Sequence, residues 1–318
     1  MNQPVVIAHR GASGYLPEHT RPAKVLAHIM GADFLEQDIV ATRDDELLVM
    51  HDVRLDSVSN VADLFPGRQR DDGRFYARDF DLAEIRELTA WERMRPDGTA
   101  VYPERYPAKT GHYQIHTLRE ELQLVDRLND ATGRVAGVYP EIKRPAWHQH
   151  QGVDLSPLVL EQLKEFGGAD DRDLVYVQCF DAAEVRRIRE DLDCPWNLVQ
   201  LIAENSWQES STDYDALRSP EGLEEIAEIV DGIGPHIGQL YQMGDSGLQS
   251  SGLVEKAHEL GLVVHPYTFR SDDFPNEFES FEALVRSCIS TLQVDGLFTD
   301  FPDQVIEIIG QIEQGAEQ

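Results

Sequence analysis

The sequence predicts an α/β protein, a (β/α)8 TIM barrel with an insertion after the second strand. Eight short apolar runs rich in β-branched residues recur along the 318 residues, and most are separated by stretches with helical periodicity. Strands that alternate with helices cross over in parallel, and eight such units close into a barrel. The alternative is an open doubly wound sheet, but neither a dinucleotide fingerprint nor a phosphate-binding loop follows the first run.

The individual elements follow from the spacing of apolar residues. The predicted strands cover 4–8, 33–40, 136–142, 174–180, 197–202, 231–234, 262–268 and 296–300. The predicted helices cover 20–30, 118–130, 155–166, 181–191, 221–230, 250–260, 277–289 and 302–310. A hairpin strand is also expected after the turn RDDE at 43–46. We therefore expect a single barrel domain over residues 1–318.

Residues 52–113 interrupt the alternation of strands and helices. This stretch is charged and rich in turn residues, as in FPGRQRDDGR and YPERYP, and it is far longer than a usual βα connection. A long insertion at the C-terminal face of a barrel commonly covers the site there. The segment 52–113 is therefore predicted to be cap-like, with a plain surface excursion as the alternative.

The composition excludes some classes of partner. The chain has 58 acidic against 28 basic residues and a formal charge of -30. Such a surface repels nucleic acid and anionic membranes, and it suits a strongly hydrated protein, also in high salt. An anionic substrate would then need a local positive patch or a bound cation.

The cysteines and the apolar segments indicate in which cellular compartment the protein is expected. Cys179, Cys194 and Cys288 are odd in number and widely spaced, which indicates neither a disulfide framework nor a zinc site. No segment has about 18 continuous apolar residues, and residues 1–8 do not resemble a signal peptide. We expect no stable membrane insertion and a cytoplasmic protein, or a periplasmic or secreted one if a signal peptide has been removed.

Three carboxylates end apolar runs. Glu36 and Asp38 are two residues apart in FLEQDIV, so both point to one face of the strand. Glu141 ends a run in VYPEIKRP, and Lys143 follows on the same side. Buried carboxylates in such proximity repel one another unless a cation lies among them. A divalent cation with oxygen ligands, Ca²⁺ or Mg²⁺, satisfies this requirement, whereas an exposed edge strand is the alternative for the first pair.

Two histidines stand where predicted strands end. His9 and Arg10 follow the first run, and His51 closes the hairpin strand in LLVMHDVRLD. Functional residues of parallel barrels lie at such positions, and imidazole titrates near neutrality, so the pair suits acid and base catalysis. With Arg10, Lys143 and a cation, the histidines would form a site for an anion such as phosphate.

The motifs occur in a specific order. HRGASGYLPEHT, LEQD, HD and PEIK resemble the pattern H-R, E-x-D, H-D and E-x-K of the glycerophosphodiester phosphodiesterase family. The resemblance continues to GLFTDFPD at 296–303 and thus covers nearly the whole chain, and it is closest to the bacterial, periplasmic, calcium-associated type. Arg21 and Pro22 at the start of the first helix depart from that pattern.

The resemblance implies a reaction. It implies the metal-dependent hydrolysis of small glycerophosphodiesters to glycerol 3-phosphate and an alcohol, with either water or a glycerol hydroxyl as the nucleophile. His9 and His51 would be the acid and base, while Arg10 and Lys143 would hold the phosphate. No oligomeric state is implied.

It also implies ligands for a cofactor and the lining of a pocket. One divalent cation, with Ca²⁺ favoured over Mg²⁺, would be held by Glu36, Asp38 and Glu141. Residues at the ends of later strands would either line the glycerol pocket or serve in packing: Gln178, Phe180, Tyr267 and Asp300.

Two other functions belong to different classes. A phospholipase D-like enzyme acting on lysophospholipids or sphingolipids, as in sphingomyelinase D type proteins, needs an exposed apolar rim, which the acidic composition disfavours. A non-catalytic phosphate-binding barrel would be favoured by the loss of a histidine, but both histidines are present.

Three further motifs receive ordinary structural interpretations. GDSG at 244–247 resembles a serine protease loop, but the chain lacks an all-β frame, so a turn is expected. HQH at 148–150 is interpreted as solvated histidines in a polar loop, and WERM at 91–94 as the small hydrophobic centre of the insertion.

Overall fold

The strands of the computed structural model, which describes residues 3–244 and 247–316, form one large sheet and one hairpin. Their bounds are β1 Val5–Ala8, β2 Phe34–Ala41, β3 Leu47–Val49, β4 Gly137–Ile142, β5 Tyr176–Cys179, β6 Asn197–Ile202, β7 Gly232–Pro235, β8 Tyr241–Gly244, β9 Gly247–Ser250, β10 Val263–Val264 and β11 Gly296–Thr299. The sheet order is β10-β7-β6-β5-β4-β2-β1-β11, all parallel, with β3 antiparallel on β2. The antiparallel pair β8 and β9 stands apart.

Backbone hydrogen bonds bring the two ends of this sheet together. The amide of Asp295 donates to the carbonyl of Val264 at 3.1 Å, and that of Phe298 donates to Pro266 at 3.0 Å. The amide of Phe269 donates back to Phe298 at 2.8 Å. The eight parallel strands therefore form a nearly closed barrel, which confirms the predicted fold class and rejects the open sheet.

The helices largely follow the predicted ones. Their bounds are α1 Arg21–Met30, α2 Val61–Leu64, α3 Leu82–Ile85, α4 Leu118–Thr132, α5 Pro145–His150, α6 Leu155–Leu163, α7 Ala182–Glu190, α8 Tyr214–Leu217, α9 Pro220–Ala227, α10 Leu253–Glu259, α11 Phe281–Arg286 and α12 Pro302–Ala316. Thr20 caps α1, whose end is fixed by Gly31 at a φ of 106°. The short helices α2, α3, α5 and α8 were not predicted, because each lacks a full period of apolar residues.

The strands divide their side chains between the inside and the outside of the barrel. Val6 and Leu35 belong to the large apolar cluster, whereas Ile7 and Phe34 belong to a small cluster with Tyr139 of β4. Because side chains alternate along a strand, the second set lies in the barrel interior. The interior rows therefore run through residues 7 and 34 toward the C-terminal ends of the strands.

The segment between β3 and α4 has its own apolar centre. Phe75, Phe80 and Ile85 pack there with Val40 of β2. The prediction that the WERM stretch at 91–94 forms this centre is wrong, since the buried residues of the centre come from β2, from β3 and from positions 50–61, 75–90 and 115. Arg93 of that stretch instead makes ion pairs toward the barrel.

Two other motif interpretations can be compared with the structure. His148 is fully buried in α5, where its ring contacts the carbonyl of Lys143 at 2.9 Å and the amide of Ala41 at 3.2 Å. The prediction of solvated histidines in a polar loop at 148–150 is therefore wrong for His148, and although His150 is exposed as expected, both residues lie in helix α5 and not in a loop. The middle of GDSG, residues 245–246, lies outside the described residues.

Among the helices of the described chain, none combines the length and the apolar character needed to cross a membrane.

Candidate active site

The candidate site continues the interior rows of the barrel. Two residues beyond Ile7 on β1 lies His9, and two and four residues beyond Phe34 on β2 lie Glu36 and Asp38. On β4, Glu141 follows Tyr139 in the same way. The same alternation packs apolar side chains in the barrel interior earlier along the strands, and it directs polar side chains inward at the C-terminal ends of the strands.

These side chains line a cavity of about 260 Å³. Nine of the predicted site residues contribute to its wall: His9, Arg10, Glu36, His51, Glu141, Lys143, Gln178, Phe180 and Tyr267. Of the two others, Asp38 is buried against Arg10 and Lys143, and Asp300 is buried behind His9. Asp300 thus has a position different from the predicted lining of a glycerol pocket.

The three carboxylates differ in their partners. Asp38 pairs with Arg10 at 3.2 Å and Lys143 at 3.5 Å, and against the effect of burial these cations, Lys143 first, hold its pKa well below the usual range. Glu36 accepts the Arg10 amide at 2.6 Å, yet burial and the charge of Asp38 raise its pKa well above normal. Burial, opposed by Lys143 at 2.6 Å, raises the pKa of Glu141 to about 8.

This arrangement fits a divalent cation. Ligand atoms of His19, Glu36 and Asp38 lie within 4.8 Å of one another, and all three side chains are buried. Burial, together with the charge of Asp38, raises the pKa values of Glu36 and Glu141, so the ionised forms of these two carboxylates are disfavoured. A hard cation among these oxygens would remove that penalty.

His19 was not among the predicted residues. Its Nε2 lies 2.7 Å from Asp38, so it orients that carboxylate. Its backbone has a φ of 57°, in the left-handed region, which the PEHT loop adopts just before α1. The histidine in PEHT was the available signal, although nothing in a single sequence places it beside Asp38.

Both predicted catalytic histidines are neutral at pH 7. Burial and the charge of Arg10 lower the pKa of His9 to about 4. Burial, Arg10 and Lys143 lower that of His51 to about 3. An anionic phosphodiester beside either ring would favour its protonated form and raise these values.

Sequence reasoning also missed a group of ion pairs at the rim. Glu18 pairs with Arg10 at 3.0 Å and accepts from Nε of Arg93 at 2.9 Å. Arg93 also reaches Asp52, the neighbour of His51. Arg93 gave no sequence signal, because it lies among many charged residues of the turn-rich insertion.

The outer wall of the cavity comes from later loops. Trp207 and Glu209 follow β6, His236 follows β7, and Arg270 follows β10. Arg270 contributes a positive charge and pairs with Asp300 at 2.9 Å. The cavity therefore joins cations, carboxylates and aromatic rings at one end of the barrel.

Known proteins resemble this chain over nearly its whole length. The model of the glycerophosphoryl diester phosphodiesterase family matches residues 9–304. A glycerophosphodiester phosphodiesterase of Haemophilus influenzae is 38% identical, with 96% of this chain and 89% of that protein covered. One of Treponema pallidum is 34% identical, with 96% and 92% covered.

Solved structures share the fold. A crystal structure from Silicibacter pomeroyi, described as a glycerophosphoryl diester phosphodiesterase, has a TM-score of 0.73 at 22% identity, covering 98% of this chain and 95% of that one. A phosphodiesterase from Oleispira antarctica, in complex with the product sn-glycerol-3-phosphate, has a TM-score of 0.63 at 19% identity, and 97% of each chain is covered.

Proposed function

Since this chain belongs to the glycerophosphoryl diester phosphodiesterase family and is an enzyme of that class, we propose that it hydrolyses glycerophosphodiesters to glycerol 3-phosphate and an alcohol. The observation that carries this proposal is the cavity itself. It brings two histidines, buried carboxylates and the cations Arg10 and Lys143 to one end of the barrel.

The histidines would divide the two proton transfers. As neutral bases, the rings of His9 and His51 can each accept a proton from the attacking hydroxyl at an unprotonated ring nitrogen. The other histidine, protonated in the presence of the substrate anion, would give its proton to the oxygen of the departing alcohol. The bond between phosphorus and that oxygen then breaks with release of a neutral alcohol, so no alkoxide has to form.

The cations would bind and orient the phosphate. Arg10 is held by Glu18 and Asp38, and Lys143 by Glu141, so both are fixed before substrate arrives. Fixed positive groups stabilise negative charge that develops on phosphoryl oxygens without having to reorganise. Their position also offsets the repulsion of an anion by a chain with a charge of -30.

Glu36, Asp38 and Glu141 would hold one divalent cation. When bound, such a cation polarises the phosphoryl group and neutralises the charge that builds up on it. We propose Ca²⁺ in preference to Mg²⁺, because Ca²⁺ tolerates an irregular set of oxygen ligands. Asp38 is oriented by His19 and Glu36 by the Arg10 amide.

The side chains of Gln178, Phe180 and Tyr267 would enclose the glycerol moiety. Phe180 and Tyr267 meet edge to face with ring centroids 5.8 Å apart, and Tyr267 is tied through its hydroxyl to the carbonyl of Ile202. This wall is rigid and largely apolar, with the amide of Gln178 available for hydrogen bonds. We further propose that the segment 52–113 caps this cavity, since Arg93 reaches its rim.

Product analysis with glycerophosphocholine tests the proposed reaction. The protein is incubated with EDTA, and Ca²⁺ or Mg²⁺ is then restored in excess. We expect glycerol 3-phosphate and choline, rather than glycerol and phosphocholine, and only with metal. Turnover in EDTA would contradict the metal requirement, and no turnover of any glycerophosphodiester with any metal would contradict the proposed activity.

Metal binding can be tested without activity. A cation that binds only the folded protein stabilises it by about 2.7 kcal/mol at 100 times its dissociation constant. We expect thermal unfolding to show such a shift with Ca²⁺, and Glu36→Gln to remove it. Glu87→Gln, a change at the surface of the insertion, is the matched control and should keep the shift.

A further inference from the structure

Among the histidines that line the cavity, His9 and His51 each contact an aspartate. Nδ1 of His9 lies 2.6 Å from Oδ1 of Asp300, which follows the last strand of the barrel. Nδ1 of His51 lies 3.2 Å from Oδ1 of Asp52. In both cases the ionised carboxylate can only accept a hydrogen bond, so it favours the tautomer whose proton is on Nδ1 and leaves Nε2 unprotonated.

Each of these aspartates is in turn held by an arginine of the segment 52–113. Oδ2 of Asp300 lies 2.8 Å from Nη2 of Arg105, and Oδ2 of Asp52 lies 2.5 Å from Nη1 of Arg93. The two contacts repeat the same chemistry on neighbouring strand ends: imidazole, carboxylate and guanidinium in a row. Both guanidinium groups come from residues only twelve positions apart.

Neither arginine contributes to the cavity wall, and both are fixed by further contacts. The Arg105 side chain is 4% exposed, lies over the ring of Tyr102 at 3.6 Å and pairs with Asp272 at 2.7 Å. Arg93 makes its second ion pair with Glu18. Arginine is suited to this position because its planar group can hold two carboxylates in fixed geometry.

We propose that Arg93 and Arg105 are positioning residues through which the inserted segment orients the two catalytic histidines, Arg105 acting through Asp300 on His9 and Arg93 through Asp52 on His51. The arginine fixes the carboxylate, and the carboxylate fixes the ring and its tautomer. Without the docked insertion, Asp52 would lose its guanidinium partner and Asp300 would keep Arg270 alone, so both rings would be less firmly oriented. This inference rests on the acid and base roles proposed above.

Steady-state kinetics of Arg105→Gln and Asp300→Asn test the first of the two rows. Because proton transfer occurs in the transition state, we expect kcat to fall by about 100-fold, the lower range for general acid and base catalysis, with KM nearly unchanged. The double variant should be no worse than Asp300→Asn, since both changes break one row. Arg93→Gln and Asp52→Asn test the second row in the same way.

Arg74→Gln is the matched control. It breaks an ion pair with Asp56 at 2.6 Å inside the same segment and contacts neither histidine. The control should keep the wild-type kcat. If Arg105→Gln matched it, or raised KM without lowering kcat, the proposal would be overturned. Loss of activity in His9→Ala with full activity in Arg105→Gln would overturn this proposal alone, whereas full activity in His9→Ala would overturn the acid and base assignment itself.

A measurement on the unaltered protein covers the case in which a variant does not fold. Nitrogen-15 NMR of the imidazole rings distinguishes the two tautomers. We expect both His9 and His51 to carry the proton on Nδ1, with proton resonances shifted downfield by the carboxylate. A proton on Nε2 of either ring would overturn the proposed role of its aspartate.

Discussion

The ring of His51 is neutral because burial and two cations, Arg10 and Lys143, lower its pKa to about 3. The hydrogen bond that the ring makes with a side chain goes to Asp52. The side chains of the metal-site carboxylates find their partners elsewhere, in His19, Arg10 and Lys143. The acid and base function can therefore be removed at this residue without dismantling the carboxylates.

We expect His51→Ala to abolish turnover while thermal stability and Ca²⁺ affinity stay close to those of the unaltered protein. Activity toward glycerophosphocholine, the melting temperature and calorimetric titration with Ca²⁺ measure these three properties. His112→Ala, an exposed position of the insertion, is the control and should retain full turnover. Retained activity in His51→Ala would exclude this histidine from the mechanism.

Another buried group of charges lies outside the barrel interior. Lys24 of α1 is fully buried and pairs with Glu121 of α4 at 2.7 Å, and Glu121 also lies 2.5 Å from His116. Against the effect of burial, Lys24 and His116 lower the pKa of Glu121 to about 2. The ionised carboxylate thus stabilises the fold above pH 4.5, and this contribution is lost as the pH falls toward 2.

We expect Glu121→Gln to lower the free energy of unfolding by about 3–5 kcal/mol at pH 7, because it leaves the charge of Lys24 buried without its carboxylate partner. The difference from the unaltered protein should shrink as the pH approaches 3. Urea unfolding at a series of pH values measures both effects. Glu161→Gln removes the exposed ion pair with Lys164 and should change the stability by less than about 1 kcal/mol; an equal effect of the two changes would contradict the argument.

At the level of elements, α4 begins where the insertion returns to the barrel. The N-terminus of α4 has a capping box. The Thr117 side chain accepts a hydrogen bond from the Glu120 amide, and the Glu120 side chain accepts one from the Thr117 amide. Gly133 ends the helix at a φ of 69°. These contacts fix the point at which the chain leaves the insertion, directly after His116.

We expect Thr117→Ala to lower the free energy of unfolding by about 1 kcal/mol, the usual cost of a lost N-terminal cap. Urea unfolding gives this value, and the slope against urea should not change. Thr132 lies in the last turn of the same helix, where its exposed hydroxyl donates to the carbonyl of Leu128 and accepts from the amide of Arg134. Thr132→Ala therefore removes a threonine hydroxyl without touching the N-terminal cap, and it serves as the control. A smaller effect at Thr117 than at Thr132 would be inconsistent with the cap.

The elements that the sequence predicts are those whose signal is local. The alternation in FLEQDIV gives β2 and the inward direction of Glu36 and Asp38, and the apolar period gives α1 and α4. Arg93 and His148 could not be predicted, since their positions depend on partners 75 and 107 residues away. A charged turn or a polar HQH motif has the same appearance whether or not such a partner exists.

At the level of the whole molecule, the excess of 30 negative charges opposes the compact state. Salt screens repulsion over distances longer than about 10 Å at 0.1 M and about 3 Å at 1 M. Buried pairs such as Lys24 with Glu121 are screened much less. The repulsion should therefore weaken with salt more than the internal ion pairs do.

We expect NaCl between 0.05 and about 1 M to raise the melting temperature, where about 1 kcal/mol of relieved repulsion corresponds to about 2–4 °C for a large domain. KCl should raise the melting temperature by the same amount as NaCl, because the effect depends on ionic strength. Differential scanning calorimetry measures it. A melting temperature that falls steadily with either salt would show that attractive surface pairs outweigh the repulsion.

The pairing of β1 with β11 joins the first and the last strand of the barrel. His9 is synthesised 291 residues before its partner Asp300. Until β11 has been synthesised, β1 therefore lacks one neighbouring strand, and its exposed edge is open to wrong partners. A chain that stops before β11 leaves the first histidine without its aspartate, so truncated products of synthesis would lack a complete site.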